Sequence, residues 1–254
     1  MTIKTATLNH VATIEIARPD KKNAITGEMY ATMALALHAA MNEADVRSVL
    51  ITGQPGIFTA GNDLEDFMQR PPQAEDSPVF QFMHALAGCE KPVVAAVTGP
   101  AIGIGTTMLL HCDLVYVSDE ARLAMPFTSL GLVPEFASSL VLPRLVGHVR
   151  AVEKLLLGDP FGAADAVELG IANAVLPAGE VVNHARRMAE RFNTLPPAAV
   201  RESKKLMRRA TSGQVRDAMA AEGAVFRERL SSPEAREAFS AFFQKRKPDF
   251  TQFQ

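Results

Sequence analysis

Val93-Val94-Ala95-Ala96-Val97-Thr98-Gly99-Pro100-Ala101-Ile102-Gly103-Ile104-Gly105-Thr106-Thr107-Met108-Leu109-Leu110-His111-Cys112-Asp113 reads as three things in succession. The apolar run between Pro92 and Gly99 predicts a short strand buried on both faces. A turn with three glycines follows, and then a small apolar helix beginning near Gly105. A strand, a glycine turn and a helix start together bring backbone N–H groups to one point, where they can hold an anion or a developing oxyanion.

Upstream, Val11–Ile16 alternates and predicts a strand with one face exposed, and Ser48–Thr52 predicts a second buried strand. Between them lies a polar loop, Arg18-Pro19-Asp20-Lys21-Lys22-Asn23-Ala24. Thr26 can then cap a helix reaching about Ala44, with Met29, Met33, Leu37, Ala40 and Met41 as its core stripe. Phe58-Thr59-Ala60-Gly61-Asn62-Asp63-Leu64 is a turn entering a helix, with Asp63 placed to favour the first helical turn. Pro71–Pro78 reads as a loop, Phe80–Gly88 as a helix and Leu114–Val117 as another buried strand. Strands alternating with helices to about residue 125 are the pattern of right-handed βαβ units. Beyond Pro126 helices dominate, over roughly 137–146, 149–157, 163–169, 178–194, 197–209, 214–229 and 233–246.

The 254 residues suffice for a full core, and 26 basic against 28 acidic residues argue against a nucleic-acid binder. Arg201–Arg209 and Lys245–Lys247 read as solvated helix faces. Cys89 and Cys112 form no CxxC pair, which fits a reducing compartment and excludes a disulfide scaffold. The first seventeen residues are too polar for a signal peptide, and no apolar run reaches bilayer-spanning length. The expectation is a soluble, cytoplasmic protein with no membrane or nucleic-acid partner; an organelle matrix after removal of a targeting segment remains open.

Several chemistries fail on residue type. There is no GxSxG, HExxH or Walker A run, and Gly103–Met108 has Met where a dinucleotide fingerprint needs its third Gly. The six His residues are dispersed, and His111 in an apolar helix reads as a satisfied core residue, so no metal site is expected. What survives is the pair of glycine turns, around Gly61 and Gly103, able to supply two converging N–H donors.

At this point a resemblance becomes specific. Arg18-Pro19…Asn23-Ala24, Phe58–Leu64, Thr98–Gly105, Cys112-Asp113, Pro126-Phe127…Leu130–Pro134, Leu142-Pro143-Arg144, Ala166…Leu169–Ala172 and Phe242–Pro248 resemble, in order, the signatures of the enoyl-CoA hydratase/isomerase (crotonase) superfamily. The resemblance implies an α/β spiral of ββα units over 1–196, with an α-helical trimerisation region over 197–254. It implies oxyanion donors at the N–H groups of Asn62 and Ile104, the second a departure from the usual Gly. It implies coenzyme A, as part of an acyl-CoA thioester substrate and not a separate cofactor, held by Lys21 or Lys22, Ala24, Ala60, Asp63 and Leu64. Phe242 and Lys245 would complete that site, in many members on a neighbouring subunit of a homotrimer or a dimer of trimers. From the residues alone Lys21 and Lys22 equally suit a solvated turn, and Phe242 plain helix packing.

Family hydratases carry two Glu residues, at positions that correspond here to Thr107 and Phe127, both in the acyl pocket. Thr107 is no base near neutral pH and Phe127 has no proton to move. The segment Leu130–Ser139 instead resembles the Δ3,Δ2-enoyl-CoA isomerases of the peroxisomal type, in which one Glu, here Glu135, is the catalytic base. Its neighbours Leu132, Val133 and Phe136 predict a pKa raised by desolvation. Without the resemblance, Glu135 reads as a cap for a helix starting near Phe136. An isomerase is expected first and a hydratase or other lyase of the superfamily second. A non-catalytic acyl-CoA- or RNA-binding relative would call for a basic surface or a lost Glu135, and neither is present.

Overall fold

The computed structural model describes residues 2–74 and 76–253, so Glu75, within the loop expected at Pro71–Pro78, lies outside the described residues. Nine strands are described: β1 (Ile3–Leu8), β2 (Val11–Ile16), β3 (Ser48–Thr52), β4 (Val93–Val97), β5 (Ala101–Ile102), β6 (Leu114–Ser118), β7 (Arg122–Ala124), β8 (Phe161–Gly162) and β9 (Ala174–Leu176). They form a six-stranded sheet, ordered β1-β2-β3-β4-β6-β9, and a three-stranded sheet, ordered β5-β7-β8. In the large sheet β1 pairs antiparallel with β2, and every other pairing is parallel.

The first helices are α1 (Gly27–Asn42), α2 (Leu64–Gln69), α3 (Pro78–Ala87) and α4 (Ile104–Thr107). Parallel neighbours need crossovers, and α1 and α3 supply two of them on one face of the sheet. Thr26 caps α1, its hydroxyl accepting from the Met29 N–H at 3.4 Å. Met29, Met33, Leu37 and Ala40 are buried against the sheet. Alternation along β4 sends Val93, Ala95 and Val97 to that core, and Val94 and Ala96 to a second one beneath α8 (Val181–Glu190). A fully buried β4 is the reason its sequence is an unbroken apolar run.

After β4 the chain leaves the large sheet for the small one. The remaining helices are α5 (Ser138–Val146), α6 (His148–Val152), α7 (Ala163–Glu168), α9 (Pro197–Arg208), α10 (Ser212–Leu230) and α11 (Pro233–Phe243). The helix expected over 149–157 changes to a π turn at Glu153–Leu157, and that expected to 246 stops at Phe243, before Lys245 turns left-handed (φ 54°). Among the described residues no helix is long and apolar enough to cross a membrane.

The helical C-terminal region is fixed to the sheet by a buried charge cluster. Asp113, just before β6, accepts hydrogen bonds from Lys204 Nζ and, at 3.0 Å, from Arg208 Nη2, both on α9. Lys204 also donates to the Lys91 carbonyl at 2.7 Å, and Asp113 accepts from the Val93 N–H at 2.7 Å. Cys112-Asp113 is therefore a structural clamp, and Cys112, its thiol pushed up to about 12 by burial, is inert.

Candidate active site

Two glycine turns lie side by side. The Thr59 N–H donates to the Pro100 carbonyl at 2.9 Å and the Ile102 N–H to the Thr59 carbonyl at 3.0 Å, so 59–62 and 100–103 run as neighbours. Both turns demand glycine. Gly61 (φ 88°) would drive a Cβ to 2.7 Å from the Ile102 carbonyl oxygen, and Gly103 (φ 57°) is the N-cap of α4. Next to each glycine stands an N–H with no protein acceptor among the described residues, those of Asn62 and Ile104. Ile104 opens α4, where an N–H has no partner within the helix. Two such donors can hold an oxygen that carries negative charge.

No sequence motif singles out Tyr30. Buried on α1, its phenol donates to the Asn62 side-chain oxygen, fixing the residue that carries the first free N–H. Burial, then the nearby Glu135, holds the phenol well above its ordinary range, so it remains a donor.

Glu135 lies in the turn before α5 and is 5 % exposed. Burial first, and the neighbouring Glu222 second, raise its carboxyl to about 8, against a lowering by the Thr107 hydroxyl, which donates to Oε1 at 3.4 Å. Thr107, three residues after Ile104 on α4, thereby links Glu135 to the second glycine turn. Glu135 does not cap the helix. That role belongs to Glu222 on α10, which accepts from the N–H groups of Ala137 and Ser139 at 2.6 and 2.9 Å. His111 is the satisfied core residue its sequence setting suggests. Burial lowers its imidazole to about 4, and the neutral ring donates from Nε2 to the Phe136 carbonyl at 2.7 Å.

A cavity of about 480 Å³ opens beside the turns. Lys21, Lys22, Ala24, Ala60, Asn62, Asp63, Leu64, Phe127 and Phe242 all line it. Lys245, exposed beyond the end of α11, does not line it, and neither does Thr107, which faces Glu135 instead. The Asp63 carboxylate is already engaged, with Arg18 Nη1 at 2.6 Å and as the cap of α2. Phe239, Phe242 and Phe243 reach the cavity from α11 of the same chain. Glu135 lines a much smaller cavity of about 10 Å³ behind it, and the two share Phe67 and Phe226 as walls, ring centroids 6.4 Å apart. Among the described residues no group of three His, Cys, Asp or Glu side chains is placed to hold a metal ion.

The family model described as enoyl-CoA hydratase/isomerase matches residues 6–254. Human enoyl-CoA delta isomerase 2 is 33 % identical over 243 residues, covering 93 % of this chain and 61 % of its own length. The chain thus spans about three fifths of that relative. An enoyl-CoA hydratase/isomerase from Pseudoalteromonas atlantica T6c superposes with a TM-score of 0.95 at 41 % identity, over 99 % of this chain and 100 % of its own. Pseudomonas aeruginosa OdaA superposes with a TM-score of 0.93 at 52 % identity, over 95 % and 98 % of the two chains. Matches that run the length of the chain, on a fold with paired glycine turns and a buried carboxyl, make it a member of the enoyl-CoA hydratase/isomerase family, the crotonase superfamily of acyl-CoA enzymes.

Proposed function

We propose that the protein is a Δ3,Δ2-enoyl-CoA isomerase with Glu135 as its base. The thioester carbonyl oxygen lies against the Asn62 and Ile104 N–H groups. Glu135 takes the C2 proton, and the electron pair of that C–H bond forms the enolate. The enolate then collapses, C2=C3 forms as C3=C4 is lost, and Glu135 returns the proton at C4. One carboxyl serves both transfers, and a pKa of about 8 suits a group that must give as well as take near neutral pH. Each oxyanion donor is worth about 2.7–4 kcal/mol of transition-state stabilisation.

The observation that carries this reading is the buried Glu135 carboxyl facing Thr107, the position where a hydratase would place a second acid. Human enoyl-CoA delta isomerase 2, similar over 93 % of this chain, supports the same choice by its name. Lys21 and Lys22 at the cavity wall suit the coenzyme A phosphates. With a 3-enoyl-CoA substrate, the conjugated-thioester absorbance should rise, and Glu135→Gln should lower kcat about 1,000-fold or more. Hydration of 2-enoyl-CoA at a rate well above isomerisation overturns the reading, as does an active Glu135→Gln.

A further inference from the structure

We infer that Glu222 is a positioning residue for the proton transfer, holding from α10 the strained turn that carries Glu135 and setting the charge Glu135 faces. The inference rests on Glu135 being the base. Phe136 (φ 59°) and Ala137 (φ 55°) are consecutive left-handed residues, neither of them glycine. Each such residue costs about 1–2 kcal/mol, so the turn persists only where its surroundings hold it. Two groups do so. His111 donates to the Phe136 carbonyl and stacks on the Phe136 ring at 4.1 Å between centroids. Glu222, 9 % exposed, accepts from the Ala137 N–H through Oε2 and from the Ser139 N–H and hydroxyl through Oε1.

The two carboxyls are unequally served. Burial raises the Glu222 carboxyl as well, but three donors and the N-terminus of α5 work against that by favouring its charged form, whereas Glu135 has one long bond from Thr107. Glu222 is therefore the more readily ionised of the two. The titratable groups facing Glu135 are Tyr30 from α1, Glu222 from α10 and, behind Phe136, the neutral His111. Among them, Glu222 is the one whose negative charge raises the Glu135 carboxyl. An α10 residue thereby fixes both the direction of the Glu135 side chain and the pH at which it becomes a base.

The test compares the pH profile of 3-enoyl-CoA isomerisation in wild type, Glu222→Gln and Glu222→Asp, with thermal melts alongside. Glu222→Gln removes the charge, and its acid limb should move down by half a pH unit or more while kcat falls about tenfold. Glu222→Asp keeps the charge but shortens the arm, so kcat should fall with the limb in place. A Glu222→Gln enzyme that loses only melting temperature, with limb and kcat unchanged, overturns the inference. Should Glu222→Gln fail to fold, Ser139→Ala keeps the charge and both backbone bonds. It should lower kcat threefold or more at constant KM, and an unchanged kcat overturns the inference equally. Glu135→Gln in the same assay separates the two ideas. If it is active, the assignment of the base fails; if it is inactive while both α10 profiles match wild type, only the role of Glu222 fails.

Discussion

A carboxyl group walled by Phe67, Phe80, Met83 and Met219 gives up its proton only well above the ordinary carboxylate range, since the anion has almost nothing to solvate it. For Glu135 the expected result is a kcat/KM that climbs with a slope of one and levels off above about pH 8, because the base form is the anion. The Thr107 hydroxyl lowers that value by donating to the anion. Thr107→Val should therefore push the limb to higher pH, and stopped-flow or steady-state profiles of the two enzymes would detect it. A limb that stays in place or moves down means that Thr107 does not hydrogen-bond the working carboxylate.

The long elements announce themselves in the sequence. Helix α1 carries its apolar stripe and its Thr26 cap, and β4 its unbroken run, each long enough for periodicity to show. Strands β5, β7 and β8 have only two or three residues and leave no period to read. The turn before α5 was illegible for another reason. Phe136 and Ala137 carry no left-handed signature, and the partner that holds them, Glu222, stands far down the chain on another helix. A hint existed in Ala220-Ala221-Glu222-Gly223-Ala224, a lone acid among small residues on a helix that must pack closely. The motifs named Glu135 because it sits in a contiguous signature, whereas Tyr30 and Glu222 reach the site only through tertiary packing. The strain itself can be weighed with Ala137→Gly. An ordinary Ala→Gly change costs about 0.5–1 kcal/mol, but here glycine also relieves the left-handed backbone. Urea melts should place the variant within about 0.5 kcal/mol of wild type.

At the scale of the whole molecule, the C-terminal helices are part of the site. Helix α10 supplies Phe226 and Glu222, α11 supplies three phenylalanines, and α9 ties the region to the sheet through Asp113. Asp113→Asn keeps the shape but leaves Lys204, 4 % exposed, without its counter-charge. Breaking a buried pair from one side costs about 3–5 kcal/mol. A loss of that order in chemical denaturation is expected, and a loss below about 1 kcal/mol would show that the cluster does not anchor α9.

Phe239, Phe242 and Phe243 close the same cavity that the chain's own glycine turns open. Inheritance of activity in mixed assemblies then follows simple proportion. If wild-type and Glu135→Gln chains are unfolded together, refolded and assayed, turnover should track the fraction of wild-type chains in a straight line, however many copies associate. A curve bowed in either direction would reveal that neighbours lend each other parts. A straight line would mean that a defective copy silences only itself.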